Sequence, residues 1–212
     1  ECGIGLLPDV GGTLMLALAP GRVGEYLGTT ATRMSGEDAI FAGFADSYIP
    51  QGKWPEVIGA LEASGDVSAI ESAKIEPPAS ELAGLQDQID TIYDGESLGD
   101  VLNNLRIKDS PFSQDCLKKM SRMSPLAMAS TIEALHRLRG PSLSIEKALD
   151  FEYRFTFRAM EHGDFLEGIR AAIIDKDRNP SWQFADMNVP LAAVAKMLQP
   201  LGQDALKLEK TI

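Results

Sequence analysis

Cysteine and histidine are scarce in this sequence, with two of each among 212 residues. Cys2 and Cys116 are too few for a disulfide framework, and adding His136 and His162 does not give the spacing of a zinc site. Both histidines are therefore expected to be packing or surface residues. We expect reduced thiols, a cytosol-like compartment and no metal ion.

Positive charge and long apolar runs are also lacking. Lys and Arg number 20 against 31 Asp and Glu, so the formal net charge is -11. This balance disfavours nucleic acid and an acidic membrane surface as partners, and an anionic ligand must be met by local basic residues. No apolar run of about 18 residues exists for a membrane span, and the start at Glu1 has neither an initiator Met nor the plan of a signal peptide. We therefore expect a truncated chain that is not secreted.

Apolar residues recur at helical spacing over most of the chain, in segments bounded by Ser, Asp, Gly or Pro. With 44% hydrophobic and 24% charged residues, the pattern predicts a folded, mainly α-helical chain with one or two cores. The predicted helices span 14–19, 22–27, 38–42, 54–64, 82–93, 98–106, 113–121, 125–138, 144–160 and 165–174, and residues 44–49 are predicted to be a strand or an extended exit. The proline-containing stretch 75–80 is the best linker candidate. We predict a core block at 1–63, a linker at 64–80 and a helical region at 81–212.

Several helix starts carry capping signals. Thr13 is a candidate N-cap, Ser35 opens a helix at Asp38, and Ser144 precedes another helix. Asp164 and Glu167 have the spacing of a capping box, with Asp in place of Ser or Thr.

One carboxylate of the C-terminal half is expected to be buried. Glu152 lies near the apolar stripe of its predicted helix, so it needs a partner such as Arg154, Arg158 or Arg170. We expect a structural ion pair there.

Two carboxylates near the start are candidates for chemistry. Glu1 and Asp9 are joined by a glycine-rich bend that can bring both side chains toward one cavity. Paired carboxylates divide roles when one attacks or takes a proton and the other orients a hydroxyl or water. Considered alone, the pair also fits a solvated loop or a helix cap, and acidic residues are mostly exposed.

Two stretches carry a family likeness. Residues 1–12 read ECGIGLLPDVGG, and residues 29–45 read TTATRMSGEDAIFAGFA. They resemble the active-site stretch, and the segment after it, of the crotonase (enoyl-CoA hydratase/isomerase) superfamily. Hydratases of that superfamily have glycine in place of Asp9, whereas 3-hydroxyisobutyryl-CoA hydrolases and dienoyl-CoA isomerases have aspartate there.

The C-terminal half separates those two. The stretches MSP at 123–125, FEYR at 151–154 and GDFLEGIRAAIIDKDRNPSW at 163–182 resemble the extended helical region of the 3-hydroxyisobutyryl-CoA hydrolases. The resemblance implies a remnant of the crotonase α/β spiral core followed by a C-terminal helical region. It also implies that the core and its two oxyanion-holding N–H groups lie upstream of Glu1, so this chain alone is expected to be inactive.

The resemblance further implies a reaction and its residues. The full-length enzyme would cleave a 3-hydroxyacyl-CoA thioester, most typically 3-hydroxyisobutyryl-CoA in valine breakdown, with no cofactor besides the CoA of the substrate. Glu1 would be the nucleophile or the general base, and Asp9 would bind the 3-hydroxyl. Gly11 and Gly12 would either let the backbone pass close to the acyl pocket or form a helix-initiating turn. By analogy, the cations that could reach a CoA phosphate are Lys176 and Arg178.

Alternatives stay open at this point. A hydratase or dienoyl-CoA isomerase of the same superfamily would work without releasing thiol, and a helical lid or oligomerisation module would not turn over at all. A homo-oligomer is expected because a core without its sheet exposes an apolar face. The expected compartment is the bacterial cytoplasm or, in a eukaryote, the mitochondrial matrix.

Overall fold

The computed structural model describes residues 1–141 and 143–208. Over those residues it has helices and irregular segments but no strand. The α-helices of the described chain are α1 Gly12–Leu18, α2 Val23–Thr30, α3 Gly36–Phe41, α4 Trp54–Ser64, α5 Ser68–Ala73, α6 Glu81–Ile92, α7 Leu98–Lys108, α8 Pro111–Met120, α9 Pro125–Leu138, α10 Ile145–His162, α11 Phe165–Ile169 and α12 Leu191–Leu198. The mainly α prediction is confirmed. None of the helices described is long and apolar enough to cross a membrane.

The chain forms two compact units, one of residues Glu1–Thr32 and Gln88–Ile212 and one of Arg33–Asp87. In the larger unit the central element is α9, which packs against α1, α2, α7, α10 and α12. Ser124 caps α9 by accepting from the N–H of Ala127, and Pro125 occupies its first turn. Small and apolar residues along α9 are buried almost without a break, so its neighbours can approach from several sides.

Helix α2 packs closely through its glycines. A Cβ at Gly24 would lie 2.0 Å from the Leu16 carbonyl oxygen, and one at Gly28 would lie 2.9 Å from the Thr131 methyl group. The predicted end near Gly28 is therefore wrong, because this glycine serves close packing. The helix continues to Thr30 and ends at Ala31, whose φ is 51°.

Helix α10 is the longest in the described chain. Its buried apolar positions, Ala148, Phe151, Phe155 and Ala159, recur every three or four residues. Ser144 caps it by accepting from the N–H of Lys147 at 3.3 Å, which confirms that predicted cap. The opposite face exposes large apolar side chains, among them Phe157 and Met160. The expected homo-oligomer stays a prediction.

In the smaller unit, Asp38 makes one local cap and two contacts across the unit. Ser35 and Asp38 form a capping box at the start of α3, which begins at Gly36 and not at the predicted Asp38. The Asp38 carboxylate also accepts from the Ser80 hydroxyl at 2.7 Å and from the Leu82 N–H at 3.0 Å. Residues 44–49 are irregular, so the strand alternative is wrong.

Other boundaries shift for identifiable reasons. Helix α8 begins at Pro111 because the Ser110 side chain caps it by accepting from the N–H of Ser113. The helix after Phe165 changes to a π-helical turn over Arg170–Ile174. Residues 75–80 are irregular, as a linker requires, but the predicted domain division at 63 and 80 stays a prediction.

Candidate active site

The glycine-rich loop of residues 1–12 begins with a tight turn. Cys2–Ile4 form a 3₁₀ turn, and the carbonyl oxygen of Glu1 accepts from the N–H groups of Ile4 at 2.9 Å and Leu6 at 3.1 Å. Gly5 ends the turn with a left-handed backbone, φ 80°. The backbone at Glu1 is thus fixed, while the residue itself is exposed.

Contacts from the C-terminal helices hold this turn. The Ser124 N–H donates to the Cys2 carbonyl oxygen at 2.9 Å. A Cβ at Gly5 would lie 2.6 Å from the Asp164 carbonyl carbon, and one at Gly168 would lie 2.1 Å from the Ile4 carbonyl oxygen. Because neither position has room for a side chain, backbone packs directly on backbone at two places. The 163–182 stretch is therefore part of the site's framework.

Asp164 reinforces that framework in a way its spacing did not predict. Its buried carboxylate accepts from the Ser124 hydroxyl at 2.6 Å and from the Gln183 N–H at 2.9 Å. The predicted capping box with Glu167 is wrong, because the Asp164 side chain does not cap α11. Glu167 instead binds Arg170 and the Ser181 N–H, and these hydrogen bonds lower the pKa of Glu167 to about 2.

Asp9 lies at the start of the turn that opens α1. The Gly12 N–H donates to the Asp9 carbonyl oxygen at 2.7 Å, and the two residues between them have positive φ, 57° at Val10 and 84° at Gly11. Gly11 is the N-cap of α1, and Thr13 lies inside the helix. The predicted Thr13 cap is therefore wrong, and the glycine pair forms the helix-initiating turn. Its closeness to an acyl pocket stays a prediction.

The buried acceptor for this turn is Glu152. Its carboxylate accepts from the N–H of Gly11 at 2.9 Å, from the N–H of Thr13 at 3.0 Å and from the Thr13 hydroxyl. The predicted burial of Glu152 is confirmed, but the prediction that an arginine pairs with it is wrong. The N–H groups at a helix start have no partner within the helix, so they can stabilise a buried carboxylate in place of a cation. The three arginines bind elsewhere: Arg154 to Asp150, Arg158 to carbonyl oxygens around Leu198, and Arg170 to Glu167, Asp175 and Asp177.

The two candidate carboxylates themselves are not engaged. Among residues 1–141 and 143–208, no protein group donates a hydrogen bond or forms an ion pair to the side chain of Glu1 or Asp9. Asp9 is half-buried and Glu1 is exposed. Both carboxylates can therefore accept hydrogen bonds from a ligand. The backbone of the loop that carries them is held by contacts with the C-terminal helices.

Cys2, next to Glu1, is not prepared for nucleophilic chemistry. Burial raises the pKa of its thiol to about 11, although a hydrogen bond with Thr131 works in the opposite direction. The thiol donates to the Gly28 carbonyl oxygen at 3.2 Å. It is a buried packing residue. Within the part of the chain described, no group of three or more His, Cys, Asp and Glu side chains is arranged to hold a metal ion.

The sequence did not reveal a cluster of charged groups around the buried Glu25 of α2. Burial alone would raise the pKa of Glu25, but hydrogen bonds from Arg139, His136 and Arg22 outweigh it and lower the pKa to about 2. His136 is therefore a packing residue within this cluster, and His162 is half-buried beside Glu161. The spacing of Arg22 and Glu25, three residues apart on one helix, was the available signal.

The two cations proposed for CoA phosphate lie in a loop after the π-helical turn. Lys176 and Arg178 are exposed and have positive φ, 57° and 52°. Neither side chain has an ion-pair partner among the described residues. They are available to an anion, and their role stays a prediction.

Comparison with known proteins identifies the family. The model of the enoyl-CoA hydratase/isomerase family matches residues 1–198. Relatives include the mitochondrial 3-hydroxyisobutyryl-CoA hydrolases of Gallus gallus, 31% identical over 98% of this chain and 57% of that protein, and of Homo sapiens, 31% identical over 88% of this chain and 51% of that protein. The chain belongs to the enoyl-CoA hydratase/isomerase family, that is, to the crotonase superfamily, as predicted.

Solved structures agree on the fold but carry other names. An enoyl-CoA hydratase from Rhodobacter sphaeroides is 51% identical with a TM-score of 0.91, covering 98% of this chain and 60% of that one. A carnitinyl-CoA dehydratase from Mycobacterium thermoresistibile is 35% identical with a TM-score of 0.88, covering 100% of this chain and 61% of that one. The chain thus spans about half to three fifths of these relatives.

Proposed function

We propose that the protein containing this chain hydrolyses a 3-hydroxyacyl-CoA thioester, with 3-hydroxyisobutyryl-CoA as the first substrate to test. The observation that carries the proposal is the pair of unengaged carboxylates, Glu1 and Asp9, on a loop whose backbone is fixed by distant helices. The names of the hydrolase relatives support it. The 3-hydroxyisobutyryl group, its place in valine breakdown and the compartment are part of the proposal.

Glu1 is the proposed catalytic carboxylate. In one route its oxygen attacks the thioester carbonyl, the C–S bond breaks, CoA leaves as the thiolate, and water then hydrolyses the mixed anhydride. In the other route Glu1 takes a proton from water, and that water attacks the carbonyl. Both routes release free CoA and a hydroxy acid.

Asp9 is the proposed partner of the 3-hydroxyl group. A half-buried carboxylate without a protein donor accepts a hydrogen bond from that hydroxyl. A substrate without the hydroxyl leaves the carboxylate unpaired, which disfavours binding. The proposed ligands of a CoA phosphate are Lys176 and Arg178.

A second candidate is favoured by a specific finding, since the solved structure at 51% identity carries the name enoyl-CoA hydratase. A hydratase adds water to the double bond of an unsaturated acyl-CoA and keeps the thioester. Double-bond isomerisation keeps it as well. Release of thiol therefore separates the hydrolase from both.

The test is thiol release by the complete gene product from 3-hydroxyisobutyryl-CoA and, separately, from crotonyl-CoA. We expect release from the hydroxylated thioester, a loss of about a hundredfold or more in Glu1→Gln, and a smaller loss in Asp9→Asn. Glu81→Gln, at an exposed carboxylate of α6, is the matched control and should keep the wild-type rate.

Three other results would count against the proposal. Absorbance loss from crotonyl-CoA without thiol release would favour the hydratase. Isomerisation of a dienoyl-CoA would favour the isomerase, and no turnover of any of these thioesters would favour a non-catalytic helical module.

A further inference from the structure

The turn that carries Asp9 is held in an unfavourable backbone conformation. Val10 is β-branched, is 90% exposed and has a φ of 57°, a region that β-branched residues rarely adopt. Its side chain contributes little packing to compensate. Such a conformation persists only where surrounding contacts determine it, and it is commonly found at functional sites.

The surrounding contact is Glu152. Glu152 lies on α10, 141 positions from Gly11. It is 3% exposed, and Phe151 and Phe155 of the same helix are buried as well. One carboxylate oxygen accepts from the N–H of Gly11, the residue after Val10, and the other accepts from the N–H and hydroxyl of Thr13. Helix α10 is anchored in turn, because Arg154 donates to the Leu198 carbonyl oxygen at 3.1 Å. The position of the Asp9 turn is therefore set by a side chain on a different part of the chain.

We propose that Glu152 is a positioning residue that sets the preference for a 3-hydroxylated acyl group by fixing the backbone turn of Asp9. The inference rests on the proposed function, because it gives Asp9 the 3-hydroxyl as its ligand. Glu1 is held by a separate set of contacts, through Ser124, Asp164 and Gly168. Loosening the Asp9 turn should therefore reduce selectivity for the hydroxyl more than it reduces thioester cleavage.

Glu152→Gln is the sharpest variant, because it has the same shape. In the wild-type protein each backbone N–H meets a carboxylate oxygen. Whichever way the glutamine amide is oriented, its NH2 group faces one of these N–H groups, and two donors cannot bond to each other. Thr13→Val removes only the hydroxyl contact and should have a smaller effect in the same direction, while Thr13→Ser should restore the wild-type preference. Ser97→Ala removes a cap of α7 whose side-chain contacts are with Asp100, and it is the control for a general loss of stability.

The measurement is kcat/KM of the complete gene product for 3-hydroxyisobutyryl-CoA and for isobutyryl-CoA, followed by thiol release. In Glu152→Gln we expect the ratio of the two to fall at least about tenfold, with a change of less than about threefold for isobutyryl-CoA. In Ser97→Ala the ratio should not change. Hydrogen exchange at the Gly11 and Thr13 amides should be faster in Glu152→Gln whatever reaction the protein catalyses.

Three results would overturn the inference and leave the proposed function standing, provided that the wild-type protein hydrolyses the hydroxylated thioester. They are an unchanged ratio in Glu152→Gln, equal losses on both thioesters, and unchanged amide exchange. If the wild-type protein releases no thiol, the proposed function fails, and the specificity role fails with it. Unchanged amide exchange would show that Glu152 does not hold the turn.

Discussion

The loop of residues 1–13 and the smaller unit are stabilised over very different distances along the chain. The loop is held by Ser124, Glu152 and Asp164, each more than a hundred positions away. In the smaller unit, the capping contact of Ser35 with Asp38 spans three positions, and the contacts of Asp38 with Ser80 and Leu82 span 42 and 44. The candidate site therefore forms only when the C-terminal helices are folded against it. Substitutions in those helices should therefore reach the site, and substitutions in the smaller unit should not.

The largest effect should come from a long-range contact of the larger unit. Glu25→Gln removes a buried charge that Arg139, 114 positions away, binds with both terminal guanidinium nitrogens. Because the guanidinium is left without its counterion, we expect the free energy of unfolding to fall by about 3–5 kcal/mol, measured by urea unfolding. A loss below about 1 kcal/mol would show that this contact contributes no more than a surface pair.

The same cluster should make stability depend on pH. The pKa of Glu25 is lowered from 4.5 to about 2 in the folded chain, so its stabilisation is fully present above pH 4.5 and is lost as the pH falls toward 2. The shift corresponds to about 3 kcal/mol. Unfolding curves of the wild-type protein and Glu25→Gln should therefore converge over this range. The lowered pKa of Glu167 is common to both proteins and cancels. A difference that is independent of pH would contradict the assignment.

A smaller effect on stability, with a large effect on activity, is expected at Gly168. A methyl group there would lie 2.1 Å from the Ile4 carbonyl oxygen, so either the 3₁₀ turn after Glu1 or α11 must shift. We expect Gly168→Ala to cost about 1–3 kcal/mol and to lower thiol release about a hundredfold, since small displacements of a reacting group are costly. Gly59→Ala on α4, where an added Cβ meets nothing within 4 Å, is the matched control and should retain activity. Wild-type turnover in Gly168→Ala would disprove the link.

The smallest effect should come from a local cap of the smaller unit. Ser35→Ala removes the acceptor of the Asp38 N–H and should cost about 1 kcal/mol. Activity per folded molecule should not change, because the contact is confined to the start of α3. If Ser35→Ala lost more activity than the loss of folded protein explains, the smaller unit would affect the site, contrary to this prediction.

Local signals in the sequence were enough for most of the helices. The bounds 54–64 and 125–138 match α4 and α9, and the cap at Ser144 was found, because a cap depends on neighbours a few residues away. The contacts that form the candidate site were not predictable in this way.

Glu152 shows why those contacts escaped prediction. The apolar pattern around it correctly indicated burial, but nearby arginines were the only partners that local spacing offered, and the true donors lie 139 and 141 positions away. Asp164 has the spacing of a capping box, yet its carboxylate binds Ser124 and the Gln183 N–H instead. The backbone contact at Gly168 leaves no local signal besides the glycine itself. The roles of Glu1 and Asp9 came from the resemblance and stay predictions.

Hydrolase and hydratase activity are separated by incubating the complete gene product with 3-hydroxyisobutyryl-CoA and with crotonyl-CoA, recording free thiol and enoyl absorbance together. We expect thiol release from the hydroxylated thioester, slower by about a hundredfold or more in Glu1→Gln, and little change in crotonyl-CoA. Rapid loss of enoyl absorbance with the thioester left intact would contradict this expectation and assign the loop of Glu1 and Asp9 to a hydratase.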